Sequence, residues 1–410
     1  MDSIAITKCR VCGNNNLIEV LDLGVQELTG FFPASKSSYV PEMPLKLVKC
    51  HGQNVCHLLQ LSHTFDLDAM YGENYGYRSG LNDSMVAHLA EKVATIESMC
   101  DFQANDIVLD IGSNDGTTLK SYSRSDLRKI GIDPTGQKFA SFYPSSIELI
   151  PDFFSAILLQ PVIKSNKAKV ITSFSMFYDL PSPVDFVKDI AEVLDENGIW
   201  VLEQSYMPEM MNCVSYDTVC HEHLEYYGLR QIKWIVERAG LQILDIDFNK
   251  INGGSFSVTV AHYKKDNKVS SNVQTTLDFE KKYSDLLPYQ EFQSQVQQSR
   301  AALKTKITEI AARGESIFAL GASTKGNVIL QYCGLNSELL SGVAEVNEDK
   351  YGRFTPGTRV PILSETDVLE QKPDNLLVLP WHFKAFFESS DKFIDINLIY
   401  PLQKATTIDD

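Results

Sequence analysis

The chain has 410 residues, 44% of them hydrophobic and 22% charged, with a formal net charge of -16. That length favours two or three domains over one core, and the acidic balance opposes binding to nucleic acid or to an anionic membrane surface. The N-terminal residues lack the apolar run of a signal peptide, and no stretch of about 20 apolar residues follows, so a cytoplasmic protein is expected.

Four of the eight cysteines fall early, as Cys9-x2-Cys12 and Cys50-x5-Cys56. Two thiolate pairs brought together by a small β-rich module build a tetrahedral zinc site, closed to water and structural in role. His51 and His57 adjoin the second pair, whose spacing is wide, and either could replace a thiolate. The glycine- and tyrosine-rich segment from Tyr71 to Gly80 cannot form a regular helix or strand. It reads either as a loop over a ligand, with Tyr75 and Tyr77 toward a cofactor, or as a packed linker. From Leu81 to Met99 the stripe Met85, Leu89, Val93 and Ile96 predicts a helix.

Strand patterns at Ile107–Ile111, Lys129–Ile132, Val170–Ser173 and Ile199–Glu203 then alternate with helical ones, which predicts a parallel sheet covered on both faces. The first strand runs into Gly112-Ser113-Asn114-Asp115-Gly116, a GxxxG turn that opens a helix at Thr117. Asp110, Asn114 and Asp115 crowd this turn, and it lacks the GxGxxG pattern that a pyrophosphate needs. A cationic cofactor without phosphate, S-adenosylmethionine, suits it better. Asp133 ends the second strand, followed by Pro134, and is placed for ribose hydroxyls. Asp152 and Phe153 lie where a further strand should end, between the second and third of these, and could hold adenine, and Ser173 at the end of the strand Val170–Ser173 completes the expected cofactor set.

Beyond the strand at Ile199–Glu203 comes TVCHEHLEYYGL, from Thr218 to Leu229. Its density of titratable groups suits proton chemistry, and imidazole titrates near neutrality, so His221 and His223 are both candidate bases. A polar stretch from Lys264 to Asn272 marks a boundary, and a long helix is expected from about Leu277 to Arg313, ended by Gly314. Strands at Ser316–Leu320, Gly342–Val346, Asn375–Leu379 and Ile396–Ile399 predict a second α/β unit of duplicated architecture. Its first strand leads into Gly321-Ala322-Ser323-Thr324-Lys325-Gly326-Asn327, an anion site in geometry, to which Lys325 adds a point charge for a diphosphate.

The zinc module, DIGSNDGT, CHEHLEYY, GASTKGN, GRFTPGT and LPWHFK together resemble the S-adenosylmethionine-dependent nucleotide-sugar C-methyltransferases, from about Cys9 to Trp381. The resemblance implies an α/β protein that is a monomer or weak homo-oligomer. Its domains would be a small zinc-binding one at residues 1–75, a central Rossmann-like methyltransferase one at 76–262, and a second Rossmann-like nucleotide-sugar-binding one at 263–410. It implies methylation beside a ketone, commonly at position 3 of a 4-keto-6-deoxyhexose. His223 falls on the catalytic base and Glu222 on its companion carboxylate, with His221 beside them, while Cys220 stands where some members carry tyrosine. Lys325, Asn327, Arg353, Thr355, Trp381 and His382 fall in strings that hold the nucleotide sugar. Two other readings compete: a nicotinamide-dependent oxidoreductase using the C-terminal glycine loop, and a zinc-stapled binding protein without catalysis.

Overall fold

A computed structural model describes residues 4–65, 78–164 and 166–402 of the chain. Strands β1 (Leu17–Glu27), β2 (Glu42–Cys50) and β3 (Leu59–Leu61) pair antiparallel. In β2 the alternate residues Met43, Leu45 and Leu47 are buried, the period of a strand with one face on a core.

Helix α1 (Asp83–Met99) starts where Asn82 accepts the Ser84 N–H, and it buries Leu89, Val93 and Ile96. The strands that follow are β4 (Ile107–Ile111), β5 (Arg128–Ile132), β6 (Ile147–Ile150), β7 (Ala168–Phe174) and β8 (Leu194–Ser205), with helix α2 (Ala156–Ile163) between β6 and β7 and helix α3 (Pro183–Val193) between β7 and β8. Every residue of β4 is buried, as in a parallel strand covered on both faces. Next, β9 (Glu225–Tyr226) leaves this sheet and pairs antiparallel with β3, so the TVCHEHLEYYGL segment is stitched to the N-terminal module. Then β10 (Leu241–Asn249) and β11 (Ser255–His262) return, giving the order β10-β11-β8-β7-β4-β5-β6.

The expected parallel sheet is therefore mixed, because β11 runs antiparallel to both β8 and β10. The turn at Ile251–Gly253, followed by Gly254 at φ 120°, joins β10 to β11 by a hairpin. A parallel crossover needs about a dozen residues or more.

In place of one long helix, Ser271–Phe279 and a tight turn at Glu280–Ser284 precede α5 (Leu287–Ala312), with α4 (Leu229–Arg238) upstream. Pro288 lacks an N–H and suits only the first turn of α5. The break also turns Glu280 inward, where its carboxylate accepts the N–H groups of Leu229 and Arg230 at 2.7 and 2.9 Å and caps α4.

The last sheet is wholly parallel, with β12 (Ile317–Leu320), β13 (Val343–Glu345), β14 (Ile362–Ser364), β15 (Asn375–Val378) and β16 (Asn397–Ile399) in the order β14-β13-β12-β15-β16. Both α/β units thus reverse strand order between their first and fourth strands, where such sheets bind ligands. One apolar core runs through the N-terminal sheet, the segment from Val219 to Leu224, and the C-terminal unit. Among the described residues, no helix is long and apolar enough to cross a membrane.

Candidate active site

At the end of β4, Gly112 and Gly116 take φ of 73° and 75°, a region that disfavours side chains. A Cβ on Gly116 would lie 3.0 Å from the Tyr143 ring, whose hydroxyl bonds Ser113 Oγ and the Asn114 carbonyl, each at 2.8 Å. Asp133 accepts the Asn114 N–H at 2.8 Å and the Thr135 N–H at 2.7 Å, which ties the second strand end to the turn. From the other side, Ser79 and Gly80 donate their N–H groups to Asn114 and Asp115, and the Arg78 guanidinium stacks on Phe142 at 4.1 Å. Asp152 and Phe153 follow β6 at the same sheet end, with Pro134 half-buried beside Asp133.

Two expected cofactor residues face elsewhere. Ser173 is fully buried and accepts the Trp200 Nε1–H at 2.9 Å. Asp110 lies beneath the turn, where it accepts the Thr172 hydroxyl at 2.5 Å and burial raises its pKa to about 7. Tyr75 and Tyr77 lie outside the described residues.

The histidines of TVCHEHLEYYGL differ in what their ring nitrogens do. His221, 1% exposed, uses both: Nε2–H donates to the Met43 carbonyl at 3.3 Å, and Nδ1 faces the Thr29 hydroxyl at 3.4 Å. His223 donates Nδ1–H to the Thr218 carbonyl at 2.9 Å, so Nε2 carries the lone pair. Tyr178 packs edge-on against its ring, with centroids 4.4 Å apart. Burial, then the charge of Lys325, lowers the His223 pKa to about 4, against a smaller raising effect of the Thr218 carbonyl. The ring is neutral at physiological pH. Between the histidines, Glu222 Oε1 sits where a Cβ on Gly30 would lie 2.3 Å away, and burial raises its pKa to about 7.

The C-terminal unit reaches the same place. Trp381 donates Nε1–H to Asp217 Oδ2 at 2.9 Å and lies against Gly253, while His382 Nδ1 is buried without a partner. Lys325, the second residue of α6 (Thr324–Cys333), donates to the Asn252 carbonyl at 3.3 Å.

In the N-terminal module the sulfurs of Cys9, Cys12, Cys50 and Cys56 all lie within 4.8 Å of one another. Neither His51 nor His57 belongs to this set, and the four thiols suit a tetrahedral thiophilic cation. Arg10, between the first two cysteines, bonds the carbonyls of Leu61 and His63 and faces Glu225 of β9 at 3.6 Å.

Three family models match the chain in order: a zinc binding domain over residues 9–71, a methyltransferase domain over 84–246, and a C-methyltransferase C-terminal domain over 250–397. The C-methyltransferase NovU of Streptomyces niveus is 26% identical over 402 residues, 95% of either chain. The chain is an S-adenosylmethionine-dependent methyltransferase, similar to C-methyltransferases over nearly its whole length. Among solved structures, a chain from the complex between the Haloferax volcanii Trm112 methyltransferase activator and a methyltransferase aligns with 48% of this chain and 98% of its own, at 14% identity and a TM-score of 0.38. The CcbJ methyltransferase of Streptomyces caelestis aligns with 43% and 90%, at 12% identity and 0.34.

The oxidoreductase and non-catalytic readings give way to the methyltransferase. The methyltransferase matches decide this; in the C-terminal glycine loop, Glu345 ends the second strand and accepts the Ala322, Val346 and Asn347 N–H groups, much as Asp133 does at the central turn. Three expected substrate residues of the methyltransferase take packing roles. Asn327 is fully buried and donates to the Thr29 carbonyl at 2.7 Å. Thr355 is fully buried in its own turn, bonded to Thr358 at 2.7 Å, and Arg353 donates to the carbonyls of Asp349 and Phe32. That turn clamps the N-terminal module, since Gly357 and Arg359 both bond the Glu27 carboxylate. Sequence reasoning missed Asp217, Asn252 and Arg10, although Asp217 immediately precedes the segment and Arg10 lies inside the first cysteine pair.

Proposed function

We propose that the enzyme methylates a carbon beside the ketone of a nucleotide sugar, C-3 of a 4-keto-6-deoxyhexose, after His223 removes the α proton. The observation that carries this reading is the tautomer of His223, whose Nδ1–H is committed to Thr218 and whose Nε2 is the acceptor. Such a base removes an α proton only when held within hydrogen-bonding reach and when the enolate oxygen is stabilised as it forms. The sugar itself rests on the likeness of TVCHEHLEYYGL, GASTKGN and LPWHFK to the nucleotide-sugar enzymes. Trp381 bonds Asp217, the neighbour of the Thr218 that holds the base, and packs with His382 against Gly253, which supports a substrate held between residues 76–262 and 263–410.

The residues at the end of β4 fit S-adenosylmethionine. The turn offers a bare glycine backbone with the Asp133 carboxylate at its side, while Asp115 is held by Arg78 and Gly80, and this acidic surrounding suits a cation better than a pyrophosphate. Bound there, the cofactor supplies an electrophilic methyl group. Asp133 and Pro134 would flank its ribose, Asp152 and Phe153 its adenine, and Gly112 to Gly116 its amino-acid end. Zinc fits the four thiolates, which leave no open position, so the module contributes stability and takes no part in the chemistry. We assign the enzyme to the cytoplasm, as a monomer or weak homo-oligomer that binds neither nucleic acid nor membrane.

The test is α-proton exchange. With S-adenosylhomocysteine in deuterium oxide, wild type should wash label into the position next to the ketone of a 4-keto-6-deoxy nucleotide sugar, and His223→Ala should not. Near-normal exchange in His223→Ala would remove the base assignment.

A further inference from the structure

We infer that Lys325 stabilises the enolate oxygen, acting on the reacting carbonyl and not on the diphosphate. This rests on His223 being the base. The ammonium leaves the first turn of α6 and points into the central unit, where its hydrogen bond is to the Asn252 carbonyl. Asn252 belongs to the hairpin turn packed under Trp381, and Trp381 in turn holds Asp217, the neighbour of Thr218 that fixes His223. Among the described residues, no carboxylate lies within ion-pair distance of Lys325. Its charge acts on Asp217, His223 and His382 together. Asp217 is 1% exposed, and its Oδ1 has no hydrogen-bond partner, which leaves an acceptor free in the same cluster. The N-terminal end of the ten-residue helix α6 adds its partial positive charge.

A cation without a direct ion pair, whose charge reaches a neutral base, is the arrangement that enolisation needs. The α C–H bond breaks and its proton passes to His223 Nε2. The C–H electron pair becomes the new C=C bond, and the carbonyl π pair moves onto oxygen, where Lys325 Nζ–H donates a hydrogen bond. The reverse step returns a solvent-derived proton to carbon, so exchange reports this half-reaction alone. Such an electrostatic donor is worth about 100-fold or more in rate.

Lys325→Met keeps the side-chain length and removes the charge. In the exchange assay it should lower kcat at least about 100-fold, with KM for the keto sugar and the Kd values of dTDP, GDP and UDP within about threefold. Ethylamine added to Lys325→Ala should restore exchange, which a packing role would not allow, and Lys325→Arg should keep more activity than Lys325→Met. Retained kcat with a tenfold weaker nucleoside diphosphate would return Lys325 to the diphosphate and overturn the inference, as would unchanged exchange. His223→Ala run in parallel separates the two readings: its retention of exchange removes the base, whereas its loss with Lys325→Met active removes only the inference.

Discussion

Gly30 lies in the loop after β1, and its missing side chain makes room for Glu222. A Cβ built there meets Oε1 at 2.3 Å and the carboxylate carbon at 3.5 Å, whereas ordinary contact begins near 3.4 Å. Gly30→Ala must therefore push the carboxylate aside by about 1 Å. The obstacle is the far end of a flexible side chain and Gly30 does not need a positive φ, so the cost to folding should be small, about 1 kcal/mol. The cost to chemistry should be larger, since a displacement of about 1 Å can lose about 100-fold in rate. We expect the melting temperature to fall by a few degrees and S-adenosylhomocysteine affinity to hold within threefold, while methylation drops about 100-fold. Calorimetry, titration and a product assay by mass spectrometry measure the three quantities. Full turnover in Gly30→Ala would refute the placement of Glu222 as a companion to His223. A collapse of stability and cofactor binding together would show that Gly30 serves the fold instead.

Burial holds the His223 pKa near 4, so the base stays deprotonated as pH falls from neutrality; α-proton exchange limited by this group should be level down to about pH 5 and decline below it. Glu222, raised to about 7, ionises as pH rises through neutrality, and any inflection there should vanish in Glu222→Gln, measured as a pH–rate profile. Metal analysis should find about one zinc per chain, and Cys9→Ser should lower the melting temperature; protein purified without chelators that carries no zinc would end that assignment. Gly116→Ala forces a left-handed residue against Tyr143 and should weaken S-adenosylhomocysteine binding at least tenfold by calorimetric titration, with zinc content unchanged.

Local pattern made the eight expected strands legible, because parallel strands covered on both faces read as short apolar runs such as Ile107-Val108-Leu109. The two cysteine pairs and the GxxxG turn were legible for the same reason: each signal lies within a few residues of sequence. Contacts across the chain were not. Arg353 and Thr355 looked available until Phe32 and the clamp on Glu27, more than 300 positions away, accounted for their turn. Ser173 ends a strand as expected, yet its side chain is taken by Trp200 on the neighbouring strand. The antiparallel β11 left a trace in Asn252-Gly253-Gly254, a hairpin signal between two apolar stretches. The break before α5 left one in Pro288.

Because β9 lies between strands of the central sheet in sequence but pairs with β3, the zinc module and the methyltransferase unit cannot be exchanged as beads on a string. A chimera that replaced only the first 75 residues would set a foreign β3 against the native Glu225-Tyr226 and part Arg10 from Glu225. Recombination between relatives would have to carry residues 224–226 with the N-terminal module. Such crossovers should leave viable joints only in pairs.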